Sequence, residues 1–419
     1  WLGQARVAMD LLDEAPDEDQ LEPIERALQE AEKAIDALRS KKAWAGQIYR
    51  FMGELQVYRS DYAEAARIME KGLTYLSKDT ELIARVAHVL RLGGDFDGAK
   101  QTWERLLEVD PGNESGIVGI ADIYIQTAKY EAGATRLAAL VASQKNPTAS
   151  MIFWEAELTW FMGNKKTAKS LYQKVLKVDT SYVRAIVALG RIDLEENNID
   201  TATKRLKMAE TVDPKNAWVF IGWGDYYKSQ KNFEMAEKSY REAVRADPDE
   251  PRAHYLLAKA LLLQGRRKEA LKSIDQSLVI EERNPKFMVE RALVLDSMER
   301  HSEAINLMKR AIRVMPNEDK FYVQLSDFLI ERGNIGEARN HLQTAAGLDR
   351  ENAEVHFLLG KTYVREDPEK ALGYLQTADQ LRPKHSRTLL LMGESHYRAN
   401  RLLDAVDRLS ESIGVDSGD

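Results

Sequence analysis

An alanine returns along this chain every 34 residues, and no other property constrains the fold as much. It stands at Ala65, Ala99, Ala168, Ala202, Ala236, Ala270, Ala304, Ala338, Ala371 and Ala405, with Gly133 taking the one remaining place. The steps onto Ala168 and Ala371 depart from 34, being 35 and 33 residues. Chance does not hold such a register over eleven units. A period of this length marks stacked supersecondary units, none of which buries its apolar face alone. Twelve residues before each alanine, or eleven in the unit of Ala371, stands a small residue: Gly53, Ala87, Ala121, Ala156, Gly190, Gly224, Ala258, Ala292, Ser326, Gly360 or Gly393. Four residues after it stands a large one: Met69, Trp103, Leu137, Tyr172, Leu206, Tyr240, Ile274, Met308, Leu342, Leu375 or Leu409. Small residues let two antiparallel helices approach closely, and the large residue a turn later fills the space between neighbouring hairpins. Twelve residues past the alanine, Pro111, Pro214, Pro248, Pro316 and Pro383 close the second helix. Proline cannot continue a helix and drives its predecessor to extended geometry.

The 34-residue period, the early small residue, the alanine, the bulky residue after it and the closing proline together resemble the tetratricopeptide repeat (TPR) superfamily, as a long multi-repeat array over roughly residues 40–416. That resemblance implies an all-α fold: a right-handed superhelical α-solenoid of about eleven helix-turn-helix TPR units, preceded by a degenerate N-terminal hairpin. Three departures leave this expectation standing. Gly133 replaces the alanine, the tryptophan favoured early in the family's first helix is mostly absent, and one loop is a residue short at Asp367-Pro368.

Residues 1–39 read as that degenerate, acidic cap. Ile24, Leu28, Ala31, Ile35 and Leu38 fall at three- and four-residue steps over residues 18–39, and the 34-residue period continued backwards from Ala65 lands on Ala31. This is the second helix of the hairpin, with Leu2 to Leu12 as its partner across a loop holding Pro16. Residues 1–38 carry eleven acids against three bases, a balance of −8, so the rest of the chain is close to neutral. The acidic surface is either a solvating cap or a docking face for a basic partner. At the other end the last helix is expected to finish near Gly414, with residues 417–419 as a truncated tail. TPR arrays usually carry a further polar helix there. Its absence exposes Leu402, Leu409 and Ile413, so either the chain continues or another subunit covers that face.

The family's geometry points first-helix positions 2, 5, 9, 12 and 13 into a concave groove. In the fourth to seventh repeats the resemblance therefore implies a partner-binding groove of Phe153, Trp160, Phe161, Arg184, Val187, Arg191, Trp218, Ile221, Lys228, Arg252, Tyr255, Lys259 and Leu262. Leu194 and Leu263 join them, with the acids Glu157, Glu195 and Asp225 at the border. Large aromatics beside arginines are what binding hot spots are made of. An extended peptide or an apolar helix with some acidic residues suits such a groove. The competing reading is that Trp160 and Trp218 pack between consecutive first helices.

Other functions are excluded on chemical grounds. There is no cysteine, hence no disulfide, thiolate metal site or cysteine nucleophile. No apolar run is long enough to span a membrane. The near-neutral array lacks the basic field of a nucleic-acid binder, and Arg266-Arg267-Lys268 is too short to supply one. No phosphate-binding glycine loop or HExxH occurs, and the seven histidines do not pair one turn apart for a metal. No catalytic residue or cofactor is expected. The lysine–asparagine pair at positions 5 and 9 that grips chaperone tails in some TPR domains is absent from every repeat.

What remains is a protein–protein interaction scaffold that positions subunits of a larger assembly. A bacterial envelope machine for polysaccharide export, pilus or motility is the setting suggested by family-level analogy. The alternative is a substrate-recruiting or regulatory TPR arm of an enzyme whose catalytic domain lies outside residues 1–419. The expected partners are proteins, in the groove or at either solenoid end. The lack of cysteine tilts the compartment slightly towards an oxidising envelope over the cytoplasm.

Overall fold

Each 34-residue period folds as two antiparallel α-helices. The computed structural model describes residues 18–33 and 42–416, and every regular element among them is helical. Contacts divide the chain into two compact blocks, residues 1–214 and 215–419, where the sequence suggests one array. The N-terminal block holds α1 (Glu18–Lys33) and five hairpins. These are α2/α3 (Lys42–Tyr58, Tyr62–Tyr75), α4/α5 (Thr80–Leu92, Phe96–Val109), α6/α7 (Glu114–Gln126, Tyr130–Ser143), α8/α9 (Ala149–Phe161, Lys165–Val178) and α10/α11 (Val183–Glu195, Ile199–Val212). The C-terminal block begins with the three hairpins α12/α13 (Ala217–Ser229, Phe233–Ala246), α14/α15 (Pro251–Leu263, Arg267–Ile280) and α16/α17 (Pro285–Ser297, His301–Val314). It continues with α18/α19 (Asp319–Glu331, Ile335–Leu348), α20/α21 (Ala353–Tyr363, Pro368–Leu381) and α22/α23 (Ser386–Arg398, Leu402–Asp416). Within each block a helix packs on its hairpin partner and on the repeats next to it.

The helix ends are written locally. Asp61, Asp95, Asn164, Asn232 and Asp367 cap second helices by accepting an amide hydrogen bond, and Asp79, Asn113, Thr148 and Asn284 do the same for first helices. Inside ten hairpins the residue five before the repeat alanine takes a left-handed conformation: Ser60, Gly94, Ala128, Gly163, Asn197, Lys231, Gly265, Glu299, Gly333 and Asn400. The following amide donates back five residues, as from Asp61 to the Gln56 carbonyl and from Arg300 to that of Leu295, which closes a Schellman turn. The shortened loop at Asp367-Pro368 makes its turn without such a residue, and Pro368 starts α21 where a missing N–H costs nothing.

The hairpin seam follows the small–large pairing. A Cβ built on Gly53 would stand 2.4 Å from Met69, one on Gly224 2.3 Å from Tyr240, and one on Gly360 2.6 Å from Leu375. The repeat alanines themselves are buried, Ala65, Ala99, Ala168 and Ala202 in the first block and Ala236, Ala270, Ala304, Ala338, Ala371 and Ala405 in the second.

At the N-terminal end α1 covers residues 18–33 of the helix expected over 18–39. The expected Leu2–Leu12 helix, and Ile35 and Leu38, lie outside the described residues. Arg59 reaches back 2.6 Å to Glu25, joining α1 to the end of α2. At the C-terminal end Leu402 and Ile413 are 55% and 69% exposed, as expected. Leu409 is half-buried instead, because it fills the space over Gly393, where a Cβ would stand 2.6 Å from it. Residues 417–419 lie outside the described residues.

Candidate protein-binding faces on the first helices

In the N-terminal block α8 and α10 carry the candidate residues. Trp160, near the end of α8, is half-buried, with the Arg191 guanidinium 4.6 Å over its ring and the Lys165 ammonium at 5.3 Å. Arg191 also lies 3.6 Å from Glu157, a buried carboxylate that accepts the Tyr172 hydroxyl. Arg184 stands 5.9 Å over Trp154. Phe161 stacks on Tyr130 at 5.4 Å. Two expected groove residues are not at the surface. Phe153 is fully buried, sealed by Tyr172 and by Tyr182 of the next repeat at 5.9 and 5.2 Å, and Val187 is 4% exposed. Both sit four residues before the Glu157/Arg191 position, inside the packing between hairpins.

The C-terminal block repeats the pattern. Ile221 occupies that same position and is fully buried, and Trp218 is 9% exposed. The Arg252 guanidinium lies 5.2 Å over the Trp218 ring. Asp225 is buried and accepts hydrogen bonds from the Tyr240 hydroxyl at 2.8 Å and Lys228 at 3.0 Å. Burial opposes its charge, yet Lys228, Arg252 and Tyr240 together hold its carboxyl below the ordinary range, while burial and Asp225 push the Tyr240 phenol far up. Tyr255 packs on Phe287 at 5.2 Å, and Lys259 lies 5.2 Å over the Tyr255 ring and 3.6 Å from Glu290. Burial works against the Lys259 charge, but Tyr255 and Glu290 raise its pKa. Leu262 is half-buried and Leu263 is 63% exposed.

The faces therefore differ from the expected one in their electrostatics. Arg191, Lys228 and Lys259 are engaged by Glu157, Asp225 and Glu290 and are not simple cationic anchors. The same pairing recurs as Arg91–Asp122 at 3.7 Å in the first block and Lys361–Asp327 at 3.8 Å in the second. Sequence reasoning missed this ladder, although its signal was present: acids and bases recur eleven residues before the repeat alanine, as Asp122, Glu157, Arg191, Asp225, Lys259 and Asp327. Among the described residues no group of three or more His, Asp or Glu is placed to hold a metal, and no helix is long and apolar enough to cross a membrane.

Antiparallel hairpins stacked side by side, with the first helix of each offering a face, define an α-solenoid. The chain has the fold of a long tetratricopeptide-repeat array, as its repeat pattern implies. The family model of the "Cilia and flagella-associated protein 70 C-terminal domain" matches residues 152–357, a stretch that includes every candidate residue from Phe153 to Leu262. A DnaJ homolog subfamily C member 7 homolog of Schizosaccharomyces pombe is 23% identical over 96% of this chain and 88% of its own length. A Triticum aestivum Hsp70-Hsp90 organizing protein is 23% identical over 65% of this chain. Two of the relatives extend well beyond the match: the chain spans 48% of the wheat protein and 52% of a Dictyostelium discoideum homologue of the DnaJ protein. Among solved structures, the APC/C hetero-tetramer Cut9-Hcn1 shares the fold, with a TM-score of 0.59, 13% identity, and coverage of 98% of this chain and 93% of that one.

Proposed function

We propose that this chain is a non-catalytic scaffold that positions other proteins along the exposed faces of its first helices. The observation that carries the reading is the exposed Leu263 beside half-buried Leu262, Tyr255 and Lys259, a patch of apolar and aromatic surface edged by a cation. The 63% exposed leucine lies together with an aromatic ring and a cation, and a mixed apolar patch of this kind is what a protein partner covers. The name of the wheat relative, an organizing protein for Hsp70 and Hsp90, supports an assembling role. The finer setting, a bacterial envelope machine in an oxidising compartment, rests on the family analogy and the absence of cysteine. The relatives named above are eukaryotic and lend it no support.

The test is affinity capture from native lysate with the chain and with Leu263→Asp and Trp160→Ala versions. Both positions are accessible enough that helical content and melting should be retained, unlike the buried Trp218. Loss of defined partners with one or both substitutions is the expected result. Partners that persist unchanged with both would show that binding uses other surfaces.

A further inference from the structure

The second helices turn a different face outward, one that the patch around Leu263 does not use. On α9 and α11 of the N-terminal block, Ala168, Tyr172 and Val175, and Ala202, Leu206 and Ala209, are buried. At about 100° of turn per residue, the opposite side holds the positions two before and two, five, six and nine after the repeat alanine. Lysine fills five of these on the two helices, Lys166, Lys174 and Lys177 on α9 and Lys204 and Lys207 on α11, against one acid, Asp200. All five lysines are exposed. The same positions on α5 carry Asp97, Glu104 and Glu108 against Arg105, so the repeat does not dictate lysine there.

These charges work against the helices that carry them. Lys174 and Lys177, and likewise Lys204 and Lys207, stand three residues apart and repel along the helix. Lys166 sits in a first turn that has no acid, against the helix dipole. On the flank of α9, Lys165 and Lys169 are paired with Glu195 and Glu196. Among the described residues, Lys166, Lys177, Lys204 and Lys207 make no ion pair. Lys174 acts on Glu155, whose pKa is raised by burial. Glu210 of α11 occupies the position of the buried Leu73, Leu107 and Val141 and so lies on another side of the helix. Beside the lysines, Val178, Met208 and Val212 are 51%, 44% and 40% exposed. Like charges edged by open aliphatic side chains are a local conflict of the kind found at functional sites.

We propose that this face rests on an anionic lipid bilayer, the five lysines lying among the headgroups while Val178, Met208 and Val212 reach the boundary of the acyl chains. The proposal does not depend on the reading of the first-helix faces. Attraction between a lysine and an anionic surface falls off within a Debye length, about 8 Å at physiological salt. The local face, not the chain's net charge of −7, therefore governs contact. Lysines stand on α9 from its first turn to its last, so the helix lies along the surface and does not touch it end-on. Long lysine stems let the charged ends spread at headgroup level over the aliphatic neighbours. Those aliphatic side chains select a bilayer over RNA, whose bases stack on aromatic rings, and the outward positions of α9 and α11 carry no aromatic residue.

The experiment sediments the full chain with vesicles of phosphatidylcholine alone and of phosphatidylcholine with about one third phosphatidylserine, at about 100 mM salt. Two variants accompany it: K177Q/K204Q/K207Q, and K272Q/R310Q/R313Q, which removes the same charge from the outward positions of α15 and α17. Both exchange exposed side chains, so both should melt like the parent. The expected result is binding to the anionic vesicles only, weakened at least about tenfold by K177Q/K204Q/K207Q and less than about twofold by the other variant. No preference for phosphatidylserine, binding that survives K177Q/K204Q/K207Q, or equal loss in both variants overturns the proposal. Tighter binding of poly(U) RNA than of the vesicles also overturns it, and would make the face a nucleic-acid surface. Release from the vesicles by inorganic phosphate at matched ionic strength would make it a site for the free anion and overturn it as well.

Discussion

At the scale of single residues, the hairpin turns store strain. Ala128, Lys231 and Glu299 have φ of 55°, 58° and 63°, a region that costs a residue with a Cβ about 1–2 kcal/mol. Glycine relieves that cost but loses more chain entropy on folding, so Glu299→Gly should stabilise the fold by about 0.5–1 kcal/mol net in urea denaturation. These turns were half legible in the sequence. Gly94, Gly163, Gly265 and Gly333 advertise them, whereas Ser60, Ala128 and Glu299 do not, because the helix-end hydrogen bonds impose the conformation whatever side chain is present. His88 offers a second residue-level test. Burial, then Arg91 and Arg85, push its pKa down to about 4 from 6.5, so it is neutral when folded and protonates more readily when unfolded. Its contribution is complete above pH 6.5 and is lost as pH falls towards 4, on the order of 3 kcal/mol in all. His88→Gln should flatten the fall in stability between those pH values, as followed by thermal melts.

At the scale of helices, the seam distinguishes repeats that look alike in sequence. Gly190 and Gly224 hold the same repeat position, but a Cβ on Gly190 would stand 3.5 Å from Leu206, an ordinary contact, while one on Gly224 would stand 2.3 Å from the buried Tyr240 ring. Gly224→Ala must displace Tyr240 and disturb its bond to Asp225, and should cost about 1–3 kcal/mol. Gly190→Ala should be neutral or stabilise by up to about 1 kcal/mol, since alanine favours helix. Thermal melts of the two variants should move in opposite directions or differ clearly in size. The small–large rule was legible because packing volume is carried by residue type. The burial of Phe153, Val187 and Ile221 was not, because the direction of a side chain from its own helix does not reveal how closely the neighbouring helix covers it. The ion pairs of Arg191 and Lys259 escaped for the same reason, since each partner lies on a different helix from its cation.

At the scale of the whole molecule, stability is distributed among repeats, because each makes its contacts with its neighbours. Deleting residues 386–416, the hairpin α22/α23, should leave helicity per residue unchanged and lower the urea midpoint modestly, as read by circular dichroism. A collapse of helicity on that deletion would instead mean that distant repeats depend on it. The neighbour-only architecture also has a mechanical side. Seams joined one after another carry a pulling force in series, so the whole load falls on every seam and the weakest opens first. A stretched block then lengthens hairpin by hairpin, as a compliant tether with many small steps, where a sheet sheared along its strands would hold until it failed at once.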